Sequence, residues 1–87
     1  QLFLGVNGVS VEHGLTTPTL AEARVNRLMV EASEEVIILA DHSKFGKITH
    51  GKITGLEEID MIITDNKNQN EDFEKVRSIV DDVLCVS

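Results

Sequence analysis

Asp41, His42, Ser43 and Lys44 follow directly on the apolar run Val36-Ile37-Ile38-Leu39-Ala40, and that junction is where chemistry would be sought first. A lysine a few residues beyond a buried strand is held near the crevice on which the strand opens. Lys44 is therefore the best single candidate for a phosphate contact. Asp41 can hold a hydroxyl, pair with Lys44, or bond backbone within the turn. Two further stretches offer neutral polar groups. Asn7-Gly8 suits a tight turn, and Gly14-Leu15-Thr16-Thr17-Pro18-Thr19 places glycine, hydroxyls and proline immediately ahead of a helix. There, free backbone N–H groups with the Thr16 and Thr17 hydroxyls form a ready site for an anion or for sugar hydroxyls. Each feature also has a plain reading. Thr16 and Thr17 can simply cap the helix, Lys44 can be a solvated lysine, and polar residues follow most strands.

Other chemistries find less support. His13, His42 and His50 lack the spacing of a histidine pair one helical turn apart, so no metal site is expected. Glu57-Glu58 and Asp81-Asp82 read as solvated faces. No glycine-rich loop of a nucleotide-binding kind is present, and no cofactor is expected. The net charge of −7, from 15 acidic and 8 basic residues, argues against direct contact with nucleic acid. No apolar run approaches the ~20 residues that span a bilayer. The single cysteine, Cys85, cannot form an internal disulfide and reads as a small buried hydrophobe, compatible with a cytoplasmic protein.

The elements that would position these groups can be read in order. Leu2 to Val6 is a strand, and Val9 to His13 a mixed connection. Thr19 to Ser33 is a helix, with Thr19 and Glu22 in a capping-box pattern and Val25, Leu28, Met29 and Ala32 on its apolar face. Val36 to Asp41 is a strand buried on both sides, as in a parallel sheet. Phe45 to Gly55 reads as a long surface loop or weak hairpin, and Leu56 to Asp60 as one helical turn. Met61 to Asp65 is a third strand and Asn66 to Asn70 a polar loop. Glu71 to Val83 is a second helix, burying Phe73, Val76, Ile79, Val80 and Val83, and Leu84 to Val86 a fourth strand. This alternation is that of an α/β protein with a mostly parallel, Rossmann-like sheet. Eighty-seven residues make one small, marginal unit, and opening within a strand suggests a fragment of something longer.

Four segments, in order and with consistent spacing, resemble the carboxy-terminal half of a DeoR-family bacterial transcriptional regulator. They are Phe3-Leu4-Gly5-Val6-Asn7-Gly8, Glu12-His13-Gly14-Leu15-Thr16-Thr17-Pro18, Leu39-Ala40-Asp41-His42-Ser43-Lys44-Phe45-Gly46 and Ile59-Asp60-Met61-Ile62-Ile63-Thr64-Asp65. The resemblance implies a sugar-phosphate sensor with a fold related to ribose-5-phosphate isomerase and glucosamine-6-phosphate deaminase. It implies homo-oligomers, and DNA contact only through a winged helix-turn-helix that is not in this chain. Residues 1–87 would then be the carboxy-terminal half of the sensing domain. The isomerases have a similar Ala-Asp-x-Ser-Lys turn, whose lysine helps hold phosphate. In an ungapped register their catalytic aspartate, lysine and glutamate fall at Asn7, Thr17 and Asn26, none able to shuttle protons near neutral pH. The expectation is an effector site formed by Asn7, Gly14, Thr16, Thr17, Asp41 and Lys44, with no catalysis. Two alternatives remain: an isomerase or deaminase relative using Asp41, Glu12 or Glu22 as base, and a plain oligomerisation module.

Overall fold

In the computed structural model, which describes residues 1–67 and 70–87, the chain forms two sheets and two helices. The parallel sheet has the order β1-β4-β6-β7, formed by Leu2–Gly5, Val36–Leu39, Met61–Asp65 and Val83–Val86. β4 is its pivot. Its four residues are flanked by β1 on one side and β6 on the other, so its backbone has no open edge. Its amino end is fixed by Asp60, whose carboxylate accepts from the Val36 N–H at 2.7 Å while the Asp60 N–H donates to the Val36 carbonyl at 3.0 Å.

Between β1 and β4 the chain builds part of a second sheet, antiparallel, from β2 (Gly8–Ser10), β3 (Gly14–Thr17) and β5 (Gly51–Thr54) in the order β2-β3-β5. Here the structure corrects two expectations. Gly14–Thr17 is not a loop before the helix but a strand whose four residues are all buried. A strand covered on both sides loses the alternation that marks one in a sequence. The Phe45–Gly55 stretch likewise contains β5, which supplies β3 with its second partner. Gly14 turns the β2–β3 hairpin with φ +68°, and a Cβ there would collide with the Thr54 backbone.

α1 spans Leu20–Glu31. Thr19 is its N-cap, accepting from the Glu22 N–H at 3.1 Å, as the capping-box pattern implies. The helix is turned the other way from expectation. It buries Ala23 and Val30, whereas Val25 and Leu28 are 56% and 61% exposed and Met29 and Ala32 are exposed too. The cause lies in β5. A Cβ on Gly51 would strike the Thr19 carbonyl and the Ala23 side chain, so the helix backbone lies close on the strand and only small side chains fit between. Arg27 completes this seat, donating to the carbonyls of Ile53 at 2.9 Å and Lys52 at 3.0 Å.

α2 (Glu71–Arg77) is shorter than the helix expected to reach Val83, because Val83 already pairs with Ile62 in β7. Phe73, Val76 and Val80 are buried as expected, but Ile79 is exposed. Phe73 meets Phe45 edge-on at 5.0 Å between ring centres. Cys85, expected to be buried, is exposed, since β7 is an edge strand with nothing over that part of it. The expected Asn66–Asn70 loop includes two residues outside those described.

Each strand of the parallel sheet is added on the same side of the last. Right-handed crossovers then place every connection on one face. Leu4, Val36, Ile38 and Ile62 accordingly share a core with Val9, Leu15, Ile53, Phe73 and Val76. On the opposite face Phe3, Leu39 and Leu84 are exposed, although Ile37 between them is buried. These packings separate two glycines. Gly51→Ala should lower stability by about 1–3 kcal/mol, as overpacking does. Gly5→Ala, with nothing within 4 Å of the added Cβ, should stay within about 0.5 kcal/mol of the parent. Urea midpoints at constant m-value check both.

Candidate functional site

β1, β4 and β6 end together: Gly5 is level with Leu39, and Leu39 with Ile63. Two residues past those levels stand Asn7, Asp41 and Asp65, so three polar side chains follow the carboxyl ends of adjacent parallel strands. In open α/β sheets that edge is where ligands bind.

Asp41 caps a 3-10 turn over His42–Lys44. Its Oδ1 accepts from the Ser43 N–H at 2.8 Å and from the Ser43 hydroxyl, and its Oδ2 lies 3.4 Å from Lys44 Nζ. The Lys44 amine is also 3.3 Å from Ser43 Oγ. Aspartate, serine and lysine thus form one polar knot. The two bonds from Ser43, followed by the charge of Lys44, hold the Asp41 carboxyl below its ordinary range. What the knot offers a ligand is the remaining hydrogens of the ammonium and the lone pairs of the serine hydroxyl.

Next to it lies a pair that was not singled out in the sequence. His42 Nδ1 is 2.9 Å from Asp65 Oδ2, and the His42 backbone N–H donates to the same oxygen at 3.0 Å. Bonds from the His42 ring and backbone, then from the Lys67 N–H, bring the Asp65 carboxyl down to about 2. The legible signal was that the second and third strands both end in aspartate, with a histidine after the first. Asp41, His42 and Asp65 bring potential metal-binding atoms within 4.8 Å of one another. All three already hold partners within the chain, and exposed clusters of this kind are common without an ion.

The second group forms around the start of α1. The Thr17 hydroxyl, almost wholly buried, lies 3.1 Å from Glu22 Oε2 and 3.4 Å from Asn7 Oδ1. A hydroxyl has one hydrogen, and the nearer, charged acceptor takes it. Asn7, with its amide turned over, can then donate to the Thr17 oxygen. Thr19 Oγ1 donates to the other Glu22 oxygen at 3.1 Å. The helix start expected to receive an anion is therefore filled by the chain's own carboxylate, which would repel a second negative charge. Thr16 faces inward, its Oγ1 accepting from the Thr49 N–H at 3.1 Å, and Gly14 sits in the hairpin turn.

The six expected residues thus fall into two contacting pairs, Asp41 with Lys44 and Asn7 with Thr17, while Gly14 and Thr16 are internal to the antiparallel sheet. Of the alternative bases, Glu22 is engaged by both threonines, and Glu12 is exposed at the hairpin tip. An open groove of about 320 Å³ lies elsewhere, along α1 and β5, lined by Arg27, Val30, Lys52 and Thr54. Arg27 is already committed to strand carbonyls there.

A mostly parallel sheet with polar turns at its carboxyl edge is the architecture of a Rossmann-like α/β domain. The family model of the DeoR C terminal sensor domain matches residues 1–66, and the chain belongs to that family. It is similar to the HTH-type transcriptional regulator GlpR of Haloferax volcanii, 46% identical over 77 residues, which are 88% of this chain and 30% of that protein. A putative aga operon transcriptional repressor of Escherichia coli O157:H7 is 39% identical over 86 residues, 99% of this chain and 32% of the relative. The transcriptional repressor GlcR of Bacillus subtilis is 44% identical over 65 residues, 75% of this chain and 25% of the relative. The chain spans about a third or less of the length of the curated relatives it matches. No helix among the described residues is long and apolar enough to cross a membrane.

The carboxylate geometry has a pH signature. Both groups titrate lower folded than unfolded, so each contributes stability that is present above ordinary carboxylate pH and is lost as pH falls through the folded value. In a pH series of amide spectra, the His42 N–H should report a midpoint near 2, through Asp65. A midpoint near the ordinary ~3.9 would contradict the pairing. Asp65→Asn should remove that step while leaving the one at Ser43.

Proposed function

We propose that this chain is part of the effector-sensing domain of a DeoR-type transcriptional regulator, and that it recognises a phosphorylated sugar or a related anionic metabolite without transforming it. The observation that carries the reading is the knot of Asp41, Ser43 and Lys44 at the carboxyl edge of the parallel sheet. Lys44 contacts the phosphate. Asp41 holds the turn and a ligand hydroxyl, Asn7 and Thr17 contact sugar hydroxyls, and Gly14 and Thr16 shape the wall behind them. The names of the relatives, all transcriptional regulators or repressors, support the regulatory half of this reading.

Absence of catalysis is supported by the same geometry. A carboxyl held near 2, and a second held low by its serine, are poor proton acceptors at neutral pH. Where an isomerase has aspartate and lysine, this chain has Asn7 and Thr17, within 3.4 Å of each other. One feature favours an isomerase relative instead: the His42 ring, oriented by Asp65, is a potential acid–base group. Aldose–ketose interconversion lost on His42→Ala would establish that alternative.

The partly exposed sheet face supports the view that residues 1–87 are the second half of a larger sensing domain. Parallel sheets are covered on both faces, and Phe3, Leu39 and Leu84 lie uncovered here. The opposite wall of the pocket then comes from outside these residues, as does the helix-turn-helix that contacts DNA. The whole regulator acts in the cytoplasm as a homo-oligomer and uses no cofactor. Effector binding changes DNA affinity only by preferring one arrangement of that oligomer.

A thermal-shift screen of sugar phosphates against the regulator that carries this chain tests the proposal. A ligand at 100 times its dissociation constant should stabilise by about 2.7 kcal/mol. Lys44→Ala should weaken binding about ten- to a hundredfold, the loss of a charge-assisted bond. No shift with any phosphorylated metabolite, or an unchanged shift in Lys44→Ala, would refute the assignment.

A further inference from the structure

We infer that α1 is an interface helix, packing antiparallel across a twofold axis against α1 of a second copy of this chain. The inference is independent of the effector reading and concerns a different surface. A helix on the outside of a domain carries polar residues on its outer face. α1 does the opposite. Its outermost positions are Ala21, Val25, Leu28 and Ala32, spaced i, i+4, i+7 and i+11, and all are exposed. They lie opposite Ala23 and Val30, which face the core. This is the alternating four-three spacing of a helix-pairing seam.

The seam is self-complementary in one orientation. Laid antiparallel about a twofold axis, Ala21 falls opposite Ala32 of the second copy, and Val25 opposite Leu28. The ends are small and the centre is filled. Arg24 and Glu31 border the same edge of the seam, one heptad apart, and neither has an ion pair within the chain among the described residues. Antiparallel pairing sets Arg24 of each copy against Glu31 of the other, twice by symmetry. Parallel pairing would leave both charges without an opposite partner.

What favours a second copy of this helix as the occupant is the match of Val25 with Leu28 and of Arg24 with Glu31 across the twofold axis. Four seam positions bury less than the ~800 Å² per partner of a stable interface, so the contact is weak alone and adds to others in an oligomer.

Directed cross-linking reads the geometry without depending on other surfaces. In a Cys85→Ser background, chains carrying Ala21→Cys are mixed with chains carrying Ala32→Cys under mild oxidation. Both sites are exposed alanines, so the fold is undisturbed. The mixed 21–32 disulfide should exceed either homodimer about tenfold, roughly the discrimination expected of one well-placed pair over a misplaced one. Arg24→Glu alone, or Glu31→Arg alone, should reduce it several-fold, and the two together should restore it. Predominant homodimers, equal yields of all three products, no cross-link at all, or a double charge swap that fails to restore the yield would each overturn the inference.

Discussion

The structure depends on the confinement of β4. Four apolar residues lie between two parallel neighbours, so the strand is paired on both sides and cannot slip by one residue without turning its side chains onto the wrong face. Aspartates mark both ends. Asp60 exchanges two hydrogen bonds with Val36 at the amino end, and Asp41 folds back on Ser43 where the strand gives out. Because β4 is fixed, the turn carrying Ser43 and Lys44 is fixed too. Because β6 runs beside it in register, Asp65 arrives where it can hold His42 by ring and backbone together.

The same confinement explains what the chain made legible. A run of apolar, β-branched residues stands out, so the starts of Val36–Leu39 and Met61–Asp65 are legible. But β4 ends at Leu39 rather than at Asp41, and is covered on one face only at that end. The Thr19–Glu22 cap is a local pattern and survived intact. What escaped depended on distant partners. Gly14-Leu15-Thr16-Thr17 is a strand held between β2 and β5, and β5 lies more than thirty residues later with nothing local to announce it. The face of α1 is hidden for a related reason. Its larger apolar side chains suggest the core, yet Gly51 brings the start of the helix so close that Ala23 sits there and Val25 and Leu28 face outward. Expected site residues fared by the same rule. Asp41 and Lys44 meet because they are three residues apart in one turn, whereas the inward aim of Thr16 follows from a hydrogen bond to Thr49 across the antiparallel sheet.

Two surfaces remain apolar once the fold is complete, and they differ in kind. The partly exposed side of the parallel sheet lies on the face that right-handed crossovers leave open, which suits coverage by more of the same domain. The outer stripe of α1 is narrow, bordered by opposite charges, and matches itself. On the proposed reading, ligand contacts and assembly contacts fall on separate elements, joined through a shared core. That separation is what differential binding needs if occupancy at one place is to alter the arrangement at another.

The proposed recognition takes place at the carboxyl edge, by the lysine-bearing turn. Its most direct test is amide shift mapping, which detects weak association, with inorganic phosphate and then sugar phosphates added to the labelled chain. Phosphate-dependent shifts are expected at His42, Ser43 and Lys44, extending to Asn7 and Thr17 when a sugar is attached. Shifts confined to the groove of Arg27 and Lys52, with the turn silent, would contradict it.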